Sequence, residues 1–103
     1  MDKRKALSLA KKYVADIHLQ FKVKEAFLFG SFARGNYHED SDIDIALVLK
    51  GTFDAFDMRV KLMKSRWDID VRIEPHPIAE KEFNSDDSLS FEVLKYGIPI
   101  KLK

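Results

Sequence analysis

The stretch Phe29-Gly30-Ser31-Phe32-Ala33-Arg34-Gly35, followed after Asn36–Asp40 by Ser41-Asp42-Ile43-Asp44-Ile45, decides how this chain folds. Val23 to Phe29 is short, aromatic-rich and closed by Gly30, the mark of a buried strand. Ser31 to Arg34 is long enough for one helical turn, with Gly35 as its C-terminal cap. Asn36 to Ser41 is polar and loop-like. Ile43 to Leu49 is apolar and β-branched, a second strand that stops at Lys50-Gly51. The block reads strand, tight turn, brief helix, loop, strand.

The rest of the chain is arranged around that block. Residues 2–20 read as a helix: Leu7, Ala10, Val14 and Ile17 recur at three- and four-residue spacing, Tyr13 widens the stripe, and the lysines fall mostly off it. Phe56, Val60, Met63 and Trp67 predict a helix over residues 54–66, with Thr52 or Asp54 near its cap. Asp68 to Glu74 alternates strictly, Ile69, Val71 and Ile73 against Asp68, Asp70, Arg72 and Glu74. That pattern predicts a strand with one polar face, stopped by Pro75. Pro77 opens a short helical turn through Phe83. Residues 88–96 read as a helix with Leu89, Val93 and Tyr96 on one face and Gly97 at its end. Ile98 to Leu102 reads as a last short strand, kept to an edge by Pro99. The expected fold class is α/β (α+β), a small mixed β-sheet covered by helices, in one domain over residues 1–103.

Composition bounds the function. The chain has 103 residues, 46% hydrophobic and 34% charged, with formal net charge +1. That hydrophobic fraction excludes a disordered chain and supports one core. The absence of cysteine excludes disulfides, a thiolate nucleophile and a Cys-ligated zinc. Near-zero net charge argues against a protein that grips nucleic acid by bulk electrostatics. The apolar stretch Ala6 to Ala10 is too short for a signal-peptide core and is cut by Lys11-Lys12. No apolar run approaches the roughly 20 residues that span a bilayer, so a cytoplasmic protein is the expectation.

Two devices in the central block carry chemistry. Gly30-Ser31 joins a strand to a helix start, where glycine admits close backbone approach and unpaired N–H groups suit phosphate. Taken alone, a Gly-Ser turn is common. Asp42 and Asp44 are two apart at a strand start, so both carboxylates project to one face while Ile43 and Ile45 turn inward. Two adjacent carboxylates repel, and a divalent cation resolves the conflict; Mg²⁺ favours few carboxylates together with substrate phosphate oxygens. Asp70 adds a third acid in the middle of an otherwise apolar strand, where an acid is costly unless exposed or paired. If that strand lies beside Ile43–Leu49, three carboxylates gather on one surface. Asp68 shares the face but lies at the strand start, where a solvated acid is ordinary, so Asp70 is the better candidate.

At this point the residues resemble a known family. Phe29-Gly30-Ser31, ten residues, Asp42-Ile43-Asp44-Ile45 and a later Ile69-Asp70-Val71 look like the signature of the nucleotidyltransferase superfamily that includes DNA polymerase beta. Gly-Ser-Phe-Ala-Arg-Gly followed by Ser-Asp-Ile-Asp is similar to its minimal nucleotidyltransferase group. The resemblance covers residues 24–75 well and the remainder in outline. It implies a nucleotidyltransferase fold and the transfer of a nucleoside monophosphate, AMP from ATP, to a hydroxyl. It implies that Gly30 and Ser31 hold the β- and γ-phosphates. Asp42, Asp44 and Asp70 would hold two Mg²⁺ ions, with Asp70 serving the metal that activates the acceptor. Arg34 is either a phosphate contact or a solvated residue. Arg72 either meets the triphosphate or pairs with Asp70, and pairing is the preferred reading.

The resemblance also implies a partner, because larger family members add an acceptor-binding domain. In the minimal group the expected partner is a HEPN-type helical ribonuclease, with AMP placed on its tyrosine and this chain acting as the antitoxin. The alternatives are the catalytic subunit of a two-part small-molecule transferase, aminoglycoside-like, and a catalytically silent binding module. A homo- or hetero-oligomer fits each. His18, His38 and His76 show no metal-ligand spacing and are set aside. Trp67 and the eight phenylalanines read as core, with Phe53, Phe83 and Phe91 left over as interface candidates. Lys95, Lys101 and Lys103 read as solubilising.

Overall fold

Three aspartates start three helices. The side chains of Asp2, Asp54 and Asp87 accept from the backbone N–H of Lys5, Asp57 and Ser90, three residues on, and so satisfy donors that the first helical turn leaves open. The structure is a computed structural model that describes residues 1–102. Within them the order is α1 (Lys3–Ile17), β1 (Val23–Phe29), α2 (Ser31–Arg34), β2 (Ile43–Leu49), α3 (Ala55–Lys64), β3 (Ile73–Ala79), α4 (Ser88–Tyr96) and β4 (Ile98–Ile100). A 3-10 turn at Glu80–Glu82 precedes α4. The reading of Lys103 lies outside the described residues.

The strands form one mixed sheet in the order β3-β2-β1-β4. β1 is antiparallel to both β2 and β4, and β2 is parallel to β3. The parallel pair needs a crossover, and α3 supplies it. The period-2 alternation of β2 splits its side chains between two cores. Ile43, Ile45, Leu47 and Leu49 join Ala6, Ala10, Tyr13, Val14 and Ile17 of α1 and Leu62 of α3 in the main core. Ala46 turns to the other face and meets Phe29, Ile78 and Val93 of α4. Helices thus cover a small mixed sheet, as expected, and β1, α2, β2 and the edge position of Pro99 in β4 fall where the sequence places them.

Two expectations are corrected. The strand predicted over residues 68–74 begins at Ile73 and runs through Pro75 to Ala79. The alternating residues before it are consumed by the exit from α3. The N–H groups of Ile69 and Asp70 both donate to the Arg66 carbonyl at 2.9 Å, and the Asp70 carboxylate accepts from the Arg72 N–H. Only at Arg72, whose carbonyl accepts from Ile43 N–H at 2.9 Å, does the ladder begin. Pro75 and Pro77 do not stop the strand because β3 is an edge. Two apart, they turn their nitrogens to the same side, away from β2, where no donor is missed. The proposed helical turn from Pro77 is correspondingly late, at Glu80–Glu82.

The second correction concerns α3. Its inner residue is Leu62, with Met58 one turn earlier packed against the core. Phe56 is 76% exposed and Trp67 68% exposed. The burial stripe of this short helix, Met58 and Leu62, is therefore rotated from the Phe56–Trp67 stripe. Of the surplus phenylalanines, Phe53 and Phe83 pack onto the cores, and Phe91 stays half exposed.

Candidate active site

Gly30 ends β1 and precedes α2 with φ +74° and ψ −151°, a conformation that L side chains rarely adopt. A Cβ built on Gly30 would strike the Asp44 carboxylate. The two devices read from the sequence therefore meet: Asp44, on β2 opposite Phe29 in the β1–β2 register, lays its carboxylate over the Gly30 turn. Ser31 opens α2, and Gly35 closes it in the left-handed region with φ +85°.

The loop that returns to β2 is fastened at both ends. Tyr37 stacks on Phe32 with ring centroids 4.7 Å apart. Ser41 is buried, its Oγ accepting from His38 N–H at 2.9 Å while its own N–H donates to the His38 carbonyl. This delivers Asp42 to the start of β2, solvent-exposed and on the face of Asp44 by strand alternation. His38 thus serves to fasten this loop.

Asp70 is not brought to this surface. Its carboxylate is taken by Arg72, with contacts of 2.9 Å to Nε and 2.7 Å to Nη2. That hydrogen bonding holds its carboxyl below the usual carboxylate range, with a smaller contribution from Lys5 of α1. Asp70 precedes β3 in the turn that leaves α3, whereas Asp44 shares the α4 side of β2 with Ala46 by strand alternation. The preferred pairing of Arg72 with Asp70 is observed. Arg34 lies 3.4 Å from Glu92 of α4, an ion pair open to solvent.

The structure instead brings two residues of β3 toward Asp44. Glu74 is its partner in the β2–β3 register. His76, set aside in the sequence, places Nε2 3.1 Å from Asp44 Oδ1. Glu74 is held by Arg59 at 3.2 Å and Arg66 at 3.9 Å, both reaching from the α3 segment. Glu74 and His76 share a face because they flank Pro75, and Ile78 continues that face into the smaller core. The signal that could have found them is the proline pair itself, which marks an edge strand still alternating. A cleft of about 330 Å³ opens beside His76, lined also by Ala55, Phe56, Arg59, Pro77 and Leu89. Other clefts, bordered by Lys22 and Lys50, lie at the opposite end of the sheet.

Among the described residues no three His, Asp or Glu side chains already converge as a cation cage. The chemistry of the Asp42 and Asp44 donors, with the Asp44 carboxylate against the Gly30 turn, nonetheless fits a hard cation shared with phosphate oxygens.

Residues 7–100 match the nucleotidyltransferase domain family. The chain belongs to that family. It is a nucleotidyltransferase. It is 32% identical over 98 residues to the candidate protein adenylyltransferase MJ0141 of Methanocaldococcus jannaschii, covering 91% of this chain and 97% of that one. It is 35% identical over 88 residues to MJ0604 of the same organism, named in the same way, covering 82% and 85%. A candidate nucleotidyltransferase crystal structure from Sulfolobus solfataricus superposes with TM-score 0.69 at 29% identity, over 94% of this chain and 80% of that one. A toxin–antitoxin solved with AMP-PNP shares the fold at TM-score 0.65 and 21% identity, over 90% and 73%. No helix among the described residues is long and apolar enough to cross a membrane.

Proposed function

We propose that this nucleotidyltransferase moves AMP from ATP to a tyrosine hydroxyl of a HEPN-type helical partner, the oxygen attacking the α-phosphate as its proton is lost and pyrophosphate leaves, and thereby acts as an antitoxin. The observation that carries the reading is the Asp44 carboxylate laid over the Gly30-Ser31 turn, with Asp42 two residues earlier on the same face. The names of the two Methanocaldococcus relatives support a protein acceptor. The AMP-PNP complex that shares the fold supports an adenine nucleotide.

In this reading Asp42 and Asp44 hold a pair of Mg²⁺ ions, which when bound supply charge neutralisation for the triphosphate and for the entering hydroxyl. Gly30 and Ser31 offer backbone N–H groups and a hydroxyl to the β- and γ-phosphates. Glu74 takes the place of Asp70 as the third acid, because it is level with Asp44 in the β2–β3 register while Asp70 precedes β3; each acid is paired with arginine. The acceptor hydroxyl approaches over β3, where the cleft beside His76 opens. Such chemistry rests on positioning rather than on a protein nucleophile.

The test is label transfer. The protein is incubated with Mg²⁺, ATP labelled at the α-phosphate, and the helical protein encoded beside it. Label on a partner tyrosine, lost in Asp42→Asn with the fold retained, is the expected result. Label on a small molecule alone, or full transfer by Asp42→Asn, would overturn the reading.

A further inference from the structure

We infer that His76 is a positioning residue that sets which oxygen of Asp44 faces the substrate. The two carboxylate oxygens have divided contacts. Oδ1 lies 3.1 Å from His76 Nε2, and Oδ2 is the atom that a Gly30 Cβ would strike. The contact is a hydrogen bond to the carboxylate in the tautomer that carries its proton on Nε2. With Oδ1 engaged by β3, Oδ2 is committed to the turn that leads into Ser31.

The histidine is itself immobilised. Its ring meets Phe29 edge-on, centroids 5.0 Å apart and planes at 72°. Phe29 is opposite Asp44 in the β1–β2 register, so one aromatic supports both members of the pair. The backbone of His76 lies between Pro75 and Pro77. Proline fixes its own φ and keeps the residue before it extended, so Glu74 and His76 are both held in strand geometry on an edge that would otherwise be free to fray. A strand edge built this stiffly, aimed at one oxygen of one carboxylate, is what an outer-sphere partner of a cation ligand requires, and such partners commonly contribute 10–100-fold in metal affinity.

This inference rests on the proposed role of Asp44 as a cation holder, and the experiment separates the two. Binding of Mn²⁺ with AMP-PNP is measured by calorimetry for wild type, Asp44→Asn, His76→Phe, His76→Ala and His76→Gln, together with melting temperatures and the kcat and KM of transfer. His76→Phe keeps the ring against Phe29 but removes the donor, and His76→Gln restores a donor. The expected result is binding about 10–100-fold weaker in His76→Phe and His76→Ala, as for other lost ligand-orienting bonds. His76→Gln is expected to recover most of that loss, with the kinetic change concentrated in the KM for the metal nucleotide. Wild-type binding in His76→Phe, or a His76→Gln variant as weak as His76→Phe, would overturn the inference. Undiminished binding in Asp44→Asn would instead overturn the reading of the site on which it rests.

Discussion

Gly30 shows how much one residue can carry. Its positive φ and the Asp44 carboxylate above it are separate demands, and any side chain violates both. Gly30→Ala should lower folding stability by roughly 1–3 kcal/mol from backbone strain alone, measured by urea denaturation. It should also abolish nucleotide transfer, because the Cβ displaces Asp44 from the turn. Asp70 provides the contrasting case. It is depressed by the Arg72 hydrogen bonds, so its contribution to stability is full above the ordinary carboxylate range and is lost as pH falls through its lowered folded value. Arg72 is largely open to solvent, which screens the pair. Asp70→Asn should therefore cost less than about 1 kcal/mol at neutral pH, with the difference from wild type vanishing in strongly acidic urea titrations. Asp70→Asn should keep transfer activity, whereas Glu74→Gln should lose it; the reverse outcome would restore Asp70 to the site.

At the scale of elements, the sequence was legible where periodicity and punctuation agreed. Gly30, Gly35 and the polar loop before Asp42 bracket β1, α2 and β2, and those three elements fall at the residues read for them. It was misleading where punctuation depends on tertiary position. Whether Pro75 ends a strand is decided by whether β3 has a neighbour on its proline side, and that is a property of the sheet order. The same misplacement left Glu74 and His76 off the expected strand's central face and put Asp70 on it. The tie between α1 and α3 was equally invisible. Tyr13, read as part of an apolar stripe, donates its hydroxyl to the Leu62 carbonyl at 2.6 Å. That carbonyl belongs to the last turn of α3, and the Arg66 N–H goes instead to Met63. Tyr13→Phe leaves it buried and unpaired, so a loss of about 1–3 kcal/mol is expected. Burial also pushes the Tyr13 hydroxyl well above its ordinary value. A raised value means stability present in full below the unfolded tyrosine range and lost as pH climbs above it. The gap between wild type and Tyr13→Phe should therefore close in alkaline denaturation series.

For the molecule as a whole, net charge and site geometry make one joint demand. With a formal charge of +1 the chain carries no large net positive field to meet a triphosphate. Arg34 is turned to Glu92, and Arg72 to Asp70. Nor do three acidic or imidazole side chains already converge to capture a cation among the described residues. Each half of the metal nucleotide should then bind poorly alone, because Mg²⁺ held by one or two carboxylates needs phosphate oxygens to complete its octahedron. Thermal melting gives the readout, since a ligand at 100 times its Kd stabilises the folded state by about 2.7 kcal/mol. AMP-PNP with EDTA, and Mg²⁺ without nucleotide, should each leave the melting temperature near that of the free protein. The two together should raise it by several degrees, and Asp42→Asn or Asp44→Asn should remove the rise. A full shift from nucleotide in EDTA would mean that protein groups alone neutralise the phosphates, and the carboxylate site would then have to be assigned a different role.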